Sequence, residues 1–553
     1  MRRVSLFAAA VLVAAAGSVS AQQVPPAVKA AEGSINPEHI RAHVRFLADD
    51  LLEGRGPGLR GSELAAQYIA TQFALDGLKP GGDNGTYLQQ INFVGVKVRP
   101  ASTSLELVPA KGAPLKLAFG GDYTVSDQNH QAVTQADAPI VFVGYGVTAP
   151  EYGWDDYAGV DVKGKVILCI VGDPPSHDPK FFGGDALTYY GRWTYKFEQA
   201  ARKGAVGALI IHRTDLASYG WDVVRNSNIS EKTYLADDKN PALDLASWIQ
   251  LDVAKRLFAA SEMDLDKEMA AAGQKGFKAV ELPVRLKAHV ESVVRPFQSP
   301  NIIGILPGAD AGSKEQAVMY TAHFDHLGFV PGMKGDNIYN GAADNATGCG
   351  MLLEMARAWS SMGVKPPHSV IFASVTAEEQ GLLGSEYLGQ HPPIPSGQIA
   401  LDINYDMVLP IGVPKQVNVN GAQRTSFYPE VQTTAKQFGL EIVPDPRPAA
   451  GSYYRSDHFS LSRVGIPAFS IEEGELYEGH DLAWGKAKFQ DFEDHDYHNF
   501  SDNYHSDWNF EGNAKLDRFG MELGWEALSA PQTIRWTPGD EFEAARKNSL
   551  GAE

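Results

Sequence analysis

The chain has 553 residues, of which 44% are hydrophobic and 10% aromatic. This is the composition of a globular protein with room for more than one domain, and it excludes wholesale disorder. The formal net charge of −19 at pH 7 argues against nucleic acid or an anionic membrane as a partner, because both bind basic surfaces. Only two cysteines occur, Cys169 and Cys349, and we do not expect a disulfide between them.

The first 21 residues have the pattern of a secretory signal peptide. Arg2 and Arg3 precede a short apolar stretch, and small residues lead up to Ala21. We expect cleavage after Ala21 and a periplasmic or secreted location. The apolar stretch is short for a bilayer span and no later segment is long enough, so we expect no contact with a membrane.

Three stretches with different residue patterns follow the predicted signal peptide. Residues 36–93 have apolar side chains at helical spacing on both sides of EGRGPGLRGS, which predicts two helices and a loop. Residues 100–290 contain short β-rich runs such as APIVFVGYGV and GKVILCIVGD, which indicate a smaller domain. From residue 299 onwards, apolar strands alternate with helices.

These stretches predict an α/β fold with a mixed, mainly parallel sheet covered by helices on both faces. Because the helices at 36–93 need a partner, we predict a discontinuous domain formed by residues 36–95 and 296–530. A β-rich α+β domain at 100–290 is then inserted into it. The tail after residue 530 is expected to be a weakly ordered end. Functional side chains are expected where the parallel strands end.

Acidic and imidazole side chains follow the predicted strands. They are His323 and Asp325 in TAHFDHLG, Asp344 in YNGAADNATGCG, Glu378 and Glu379 in TAEEQG, Asp406 in LDINYDMV, and His498 in DHDYHNFSDNYH. Taken singly they have ordinary explanations, such as a helix cap for Asp344 or solvent exposure for the two glutamates. Gathered at one sheet edge, two imidazoles and several carboxylates favour zinc, with manganese or cobalt as substitutes. Five ligands are too many for one catalytic zinc and suit two that share a carboxylate.

Six motifs occur in one order along residues 299–510: HFDH, IYNGAADNATG, TAEEQGLLGS, NYDM, RSDHFSL with GIPAF, and YHNFSD. In this order the sequence resembles peptidase family M28, the di-zinc aminopeptidases and their carboxypeptidase relatives, which have a zinc-exopeptidase fold. Residues 100–290 resemble, through less specific motifs, the protease-associated (PA) domain often inserted in these enzymes. The segments GYGVTAPEYGWDDYAGVDVKGKVILC and AARKGAVGALII carry that second likeness.

The resemblance to family M28 implies a role for each candidate residue. Asp344 would bridge two zinc ions, one held also by His323 and Asp406 and the other by Glu379 and His498. Glu378 would be the general base, and Asp325 would orient His323. Tyr453, with Tyr454 as a rival, would stabilise the oxyanion. A cis peptide bond at Asp344–Asn345 is a further family feature.

The implied activity is removal of N-terminal residues from peptide substrates by a metal-bridging water, with Glu378 taking its proton. A carboxypeptidase or dipeptidase is disfavoured because no arginine cluster for a substrate carboxylate stands out. Glutaminyl cyclase, a single-zinc relative, is disfavoured because His323 and Asp406 are both present. A binding protein without chemistry is disfavoured because all five ligands are present. The inserted domain is expected to gate substrates or bind a protein partner, and Glu472 and Glu473 are interpreted as a solvated turn.

Overall fold

The computed structural model describes residues 24–309 and 316–551. The predicted signal peptide at residues 1–21 lies outside the described residues. Within them, no helix combines the length and the apolar character that crossing a membrane requires.

Four parallel strands form one end of the first of two sheets, in the order Ala468–Ser470, Ile399–Asn404, Ala317–His323, Val370–Val375. Every residue of these strands is buried, as near-continuous apolar runs predict for a sheet covered on both faces. The sheet continues with three antiparallel strands, Val280–Leu306, Leu88–Val98 and Lys232–Leu235. The mixed, mainly parallel character predicted for the site-bearing part of the sheet is confirmed.

Helices cover both faces of these four strands, and successive side chains of each strand point to opposite faces. Val318 and Tyr320 belong to one buried cluster, whereas Ala317 and Met319 belong to another. The first cluster includes residues from the helices Pro37–Leu47, Arg60–Leu75, Thr347–Ser360 and Glu511–Leu528. The second includes residues from the helices Leu383–Gln390 and His458–Arg463.

The first long helix shows how sequence produces this packing. Asn36 caps the helix Pro37–Leu47 by accepting a hydrogen bond from the backbone N–H of Glu38. Ile40, Val44 and Leu47 recur at helical spacing and are all buried. The helix Arg60–Leu75 follows the Gly-rich loop, so both predicted helices of the 36–93 stretch are present.

A second sheet lies in the stretch 100–290 and has its own buried core. Its main strands run in the order Val280–Leu306, Val133–Phe142, Val166–Ile170, Gly207–His212, Leu245–Gln250, Tyr123–Ser126. A further strand, Ser104–Pro109, pairs with both Val280–Leu306 and Leu115–Lys116. Its helices are Trp193–Arg202, Thr214–Ala217, Trp221–Ile229, Leu251–Ala260 and Leu265–Ala272.

Two strands connect the second sheet with the first. Val280–Leu306 is 27 residues long and belongs to both sheets. Lys232–Leu235 falls within the predicted insertion, yet it pairs with Leu88–Val98 of the first sheet. The stretch 100–290 is therefore joined to the rest of the molecule by continuous β-structure.

The tail after residue 530 packs onto the protein, so the expectation of a weakly ordered end is wrong. Trp536 and Phe542 are buried in an aromatic cluster with Tyr453 and Phe459. Arg546, in the helix Glu543–Ser549, is 1% exposed and donates to the carbonyl of Ile399. The other helices outside the stretch 100–290 are Pro26–Gly33, Tyr428–Gln437 and Leu482–His495.

Candidate active site

Asp344 lies between two histidines. Its Oδ1 atom is 3.4 Å from Nε2 of His323, and its Oδ2 atom is 3.2 Å from Nε2 of His498. Asp406 Oδ1 is 3.2 Å from the same nitrogen of His323, and Glu379 Oε2 is 3.0 Å from the same nitrogen of His498. Asp344 therefore offers one oxygen to each of two groups of side chains.

The ends of the parallel strands bring these side chains together. His323 ends the strand Ala317–His323, while the acidic pair and Asp406 follow the two neighbouring strands. Ala377, just before Glu378, has a φ of 56°, and Met407, just after Asp406, has a φ of 52°. Residues with a Cβ atom rarely adopt this left-handed backbone, and where they do it is often at functional sites.

The turn at Ala377 explains how two adjacent glutamates reach one site. In an extended strand, Glu378 and Glu379 would point to opposite faces. Here Glu378 Oε2 is 3.9 Å from Nε2 of His323, and Glu379 lies against His498. The two carboxylates therefore face different histidines of the same cluster.

The loop that carries Asp344 is held by backbone hydrogen bonds and by a glycine. The Asp502 carboxylate accepts from the N–H groups of Ala343 and Asp344 at 2.8 and 3.1 Å. Gly341 has a φ of 57°, and a Cβ atom there would lie 2.3 Å from the carbonyl oxygen of Asp344. The peptide bond Asp344–Asn345 is cis.

Asp325 contacts both His323 and the backbone of Glu378. Nδ1 of His323 is 3.2 Å from the backbone carbonyl oxygen of Asp325, while the carboxylate is 3.8 Å away. The carboxylate accepts instead from the N–H of Glu378 at 3.1 Å. Asp325 thus positions the imidazole through its main chain and the Glu378 backbone through its side chain.

The two glutamates differ in their affinity for protons. Burial raises the pKa of Glu378 well above its ordinary value, and the charges of Asp406 and Glu379 add to this although His323 opposes it. Burial also opposes ionisation of Glu379, but His498 and His326 lower the pKa of Glu379 to about 2. Glu379 is therefore suited to bind a cation and Glu378 to accept a proton.

The cluster has the donors that zinc requires. The ligand atoms of His323, Asp344 and Asp406 lie within 4.8 Å of one another, as do those of His326, Asp344 and Glu379. Imidazole nitrogen and carboxylate oxygen suit zinc, and a shared carboxylate suits two ions. The buried carboxylates also need positive charge nearby, which bound cations supply. The residues present therefore have the donor atoms and the charge that suit bound zinc.

His326 is a member of this cluster to which sequence analysis assigned no role. The residue is fully buried, and its Nδ1 atom is 2.6 Å from Oε1 of Glu379. Its ring lies 5.7 Å from the ring of His498 in an edge-to-face arrangement. The second histidine of HFDH was the only available signal.

Tyr497 and Arg455 also adjoin the cluster and were not predicted. The Tyr497 ring stacks on His498 with centroids 4.0 Å apart. Burial raises the pKa of Tyr497, so its phenol remains a hydrogen-bond donor. The Tyr497 phenol and, less strongly, Glu378 hold the pKa of the Arg455 guanidinium above its ordinary value. Two donors therefore lie on the His498 side of the cluster, with the phenol stacked on the imidazole of His498.

Tyr453, which the resemblance placed at the oxyanion, lies elsewhere, and we correct that assignment. Its hydroxyl shares a hydrogen bond of 2.7 Å with the hydroxyl of Ser462. Arg424 lies 4.6 Å from the centre of the Tyr453 ring, and Phe542 of the tail packs beside that ring. Tyr453 is therefore part of the buried aromatic cluster formed with the tail.

Glu472 and Glu473 do not form a solvated turn, and that interpretation is wrong. The two residues are a short strand that pairs with Gln416–Asn418. Glu473 is 6% exposed and accepts a hydrogen bond from the N–H of Leu409 at 2.8 Å. Burial and the charge of Asp406 both raise the pKa of Glu472, to about 7.

Comparison with known proteins identifies relatives of this chain. Leupeptin-inactivating enzyme 1 of Streptomyces exfoliatus is 27% identical over 296 residues, which are 49% of this chain and 60% of that protein. Aminopeptidase YwaD of Bacillus subtilis is 29% identical over 203 residues, which are 35% of this chain and 39% of that protein. The matched part thus spans less than two thirds of the length of either relative.

A solved structure shows the same fold, and a family model matches the site-bearing part of the chain. The aminopeptidase from Aneurinibacillus sp. strain AM-1 aligns with a TM-score of 0.51 at 19% identity and covers 90% of this chain and 96% of its own. Residues 301–516, which contain His323, His498 and the acidic side chains of the site, match the model of peptidase family M28. Residues 301–516 are therefore similar to peptidase family M28, and we refer to this part of the chain as the M28 domain.

Proposed function

We propose that the protein is a zinc-dependent aminopeptidase with two zinc ions in one site. His323 and Asp406 would hold one ion, Glu379 and His498 the other, and Asp344 both. The observation that carries this proposal is the position of Asp344, whose two carboxylate oxygens face Nε2 of two different histidines. The names of the relatives support the same activity.

Bound zinc ions supply Lewis acidity, which polarises the scissile carbonyl and makes water a nucleophile near neutral pH. Glu378 is the group that moves the proton. Its raised pKa makes it a strong acceptor, and it then donates the proton to the leaving amine. Tyr497 and Arg455 donate hydrogen bonds to the oxygen on which negative charge develops.

Acidic groups around the candidate metal site favour a substrate with a free α-ammonium group. Glu472 is close enough to Asp406 for the charge of Asp406 to raise the pKa of Glu472. An ammonium group beside these two carboxylates would be stabilised electrostatically. This favours removal of the N-terminal residue over cleavage inside a long chain.

The stretch 100–290 is part of this proposal as a PA-type domain that limits substrate access. Its segment around Leu187 contacts the loop around Pro448, which leads directly to Arg455. The pattern of residues 1–21 supports export to the periplasm or the medium.

The test measures metal content and product release on one purified sample. Wild type and Glu378→Gln are assayed for zinc and for release of amino acids from matched peptides with free and with acetylated N-termini. We expect about two zinc ions per chain in both proteins, and release only from free N-termini by the wild type. Glu378→Gln removes the proton acceptor at nearly constant shape, so it should keep its zinc and lose activity.

Three results would contradict the proposal. One zinc or none would favour a cyclase or a binding protein, and cleavage that ignores acetylation would favour a carboxypeptidase. A fully active Glu378→Gln variant with its metal would remove Glu378 from the mechanism, and a different proton acceptor would then be required.

A further inference from the structure

His326 adjoins the five proposed zinc ligands without being one of them. The residue is fully buried, and its Nδ1 atom is 2.6 Å from Oε1 of Glu379. Neither of these two atoms has another hydrogen-bond partner among the described residues. Buried polar atoms seldom stay unpaired, because each one left without a partner costs free energy. The imidazole nitrogen and the carboxylate oxygen are therefore the partners available to each other.

Neighbouring residues fix the position of the His326 ring. A Cβ atom at Gly341 would lie 2.6 Å from Cγ of His326, so the ring occupies space that only a glycine leaves free. The rings of Tyr339 and His498 meet the His326 ring edge to face, with centroids 6.4 and 5.7 Å away. Packing on these sides therefore determines where Nδ1 of His326 lies.

Distances within the cluster distinguish a zinc ligand from a hydrogen-bond donor. Zinc–ligand bonds of about 2.0–2.2 Å that meet at a tetrahedral angle place two ligand atoms roughly 3.3–3.6 Å apart. Nε2 of His498 is 3.2 Å from Asp344 and 3.0 Å from Glu379, which is close to that spacing. The 2.6 Å between His326 and Glu379 is shorter and fits a charge-assisted hydrogen bond, for which about 2.7–2.9 Å is usual. His326 is therefore better suited to donate to Glu379 than to share a zinc ion with it.

The two oxygens of Glu379 face different imidazoles. Oε1 lies beside Nδ1 of His326, and Oε2 lies beside Nε2 of His498. A carboxylate that accepts an N–H on one oxygen has the other oxygen directed to its metal ion, and such contacts also orient the group. Glu379 would then contribute one oxygen to zinc, which leaves a coordination position for a substrate atom.

We propose that His326 is a positioning residue whose Nδ1–H donates to Oε1 of Glu379 and so directs Oε2 to the zinc ion on the His498 side. The inference rests on the proposed two-zinc function and deepens it, because it names a residue beyond the five ligands that controls one of the two ions.

The effect of His326 is expected on one ion only. The ligand atoms of His326 group with those of Asp344 and Glu379, whereas those of His323 group with Asp344 and Asp406. Loss of a hydrogen bond to a metal ligand typically lowers metal affinity about 10–100-fold. The ion on the Glu379 side should therefore become weakly bound while the ion on the Asp406 side stays in place.

The test measures both zinc dissociation constants by competition with a chromophoric chelator, a readout that needs no enzymatic activity. His326→Leu removes the donor, so the affinity for one zinc ion should fall about 10–100-fold and the other should change little. His326→Asn keeps an N–H near the place of Nδ1, whereas His326→Gln puts its N–H near the place of Nε2. Zinc should bind about ten-fold more tightly to His326→Asn than to His326→Gln. This comparison decides the matter even where His326→Leu does not fold.

A double-mutant cycle tests whether His326 acts through Glu379. His326→Leu should add little to the loss of zinc affinity that Glu379→Gln causes, because both changes remove the same contact. In the Asp406→Asn background, His326→Leu should lower zinc affinity by the same factor as in the wild type. A merely structural role of His326 would add the same loss in both backgrounds.

His212→Leu is the matched control. His212 is 5% exposed, ends the strand Gly207–His212 of the second sheet, and has its Nε2 atom 3.0 Å from the carbonyl oxygen of Tyr219. The substitution likewise deletes a buried imidazole, but it does so away from the metal site. The Tm should fall, and both zinc affinities should remain those of the wild type.

The outcomes separate this inference from the function on which it rests. Unchanged zinc affinities in His326→Leu, equal affinities in His326→Asn and His326→Gln, or equal losses of both ions would overturn the positioning role. The two-zinc aminopeptidase would then still stand. A wild type that binds one zinc ion or none overturns both.

Discussion

Tyr497 and Tyr453 illustrate how surroundings determine the role of a side chain. Tyr497 stacks on His498, and its phenol is close to Arg455 and to the acidic cluster. Tyr453 has its hydroxyl bonded to Ser462, with its ring packed against the tail. We therefore expect the phenol of Tyr497, and not that of Tyr453, to contact a substrate carbonyl.

Tyr497→Phe should reduce kcat about 100-fold with little change in KM, since it removes a donor that acts mainly on the developing oxyanion. Steady-state kinetics with an unblocked peptide provides the measurement. Tyr453→Phe is the matched control and removes one buried hydroxyl. It should keep the wild-type kcat and lower the free energy of unfolding by about 1 kcal/mol. A large loss of kcat in Tyr453→Phe would instead restore the role that the resemblance gave to Tyr453.

His326 shows what sequence reasoning could not reach at this scale. Alternation along a strand placed His323 and Asp325 on one face and therefore placed the next residue on the other. The strand ends at His323, so alternation does not apply to the residues after it. The candidate metal ligands that the motifs supplied lie together in the structure, whereas His326, Tyr497 and Arg455 depend on loop geometry that no periodicity describes.

At the scale of elements, the small sheet formed by Gln416–Asn418, Glu441–Ile442 and Glu472–Glu473 buries a carboxyl group. One oxygen of Glu473 accepts from the N–H of Leu409, and the other has no partner among the described residues. Burial raises the pKa of Glu473 to about 8. The folded protein therefore favours the neutral acid over a wide pH range.

This burial makes the stability contribution of Glu473 depend on pH. Between about pH 4.5 and 8 the unfolded state has lost the proton that the folded state keeps, so stability falls as pH rises, by up to about 1.4 kcal/mol per pH unit. Glu473→Gln cannot ionise and lacks this contribution. Urea unfolding at pH 5 and pH 8 should show that Glu473→Gln gains stability relative to the wild type at the higher pH. An equal difference at both pH values would show that the buried carboxyl is already ionised.

Elements with a continuous or periodic pattern of apolar residues were predictable from sequence, and elements without such a pattern were not. The four parallel strands are apolar throughout, and the helix Pro37–Leu47 repeats its apolar residues at helical spacing, so both were found. In the tail, Trp536 and Phe542 stand apart among polar residues and form no periodic pattern. Their burial depends on a cluster with Tyr453 and Phe459, which are distant in sequence.

At the scale of the whole molecule, Arg55 connects the N-terminal helices to the candidate active site. It is 1% exposed and donates to the carbonyl oxygens of Phe324, Asn340 and Gly341 at 2.6 to 2.8 Å. A further hydrogen bond goes to the carbonyl of Leu47. One guanidinium thus holds the segment just before His326 and the segment just before Asp344.

Arg55→Met should lower the free energy of unfolding by about 3 kcal/mol or more, because several buried carbonyls lose their donor. It should also lower the zinc content, since the loops around the metal-binding residues lose their support. Chemical denaturation and metal analysis measure the two effects. Arg60→Met is the control: Arg60 is 74% exposed, and its closest acidic partner is 3.9 Å away, so both quantities should stay near the wild-type values. Wild-type zinc content in an otherwise destabilised Arg55→Met would limit Arg55 to a role in folding.

The pairing of the N-terminal helices with the M28 domain followed from sequence because an amphipathic helix needs a partner. The sequence did not predict the link through Lys232–Leu235, because a strand of four residues with no distinctive neighbours carries no information about which sheet it joins.

The 27-residue strand Val280–Leu306 limits how this protein can be dissected or can move. Excising residues 100–290 would cut through that strand and would also remove Lys232–Leu235, the strand that pairs with Leu88–Val98. The truncated protein would expose an unpaired strand edge, which promotes aggregation. A hinge through the strand would likewise have to break ladder hydrogen bonds. Substrate entry is therefore expected to involve displacement of loops such as the one around Leu187, with the two sheets moving as one body.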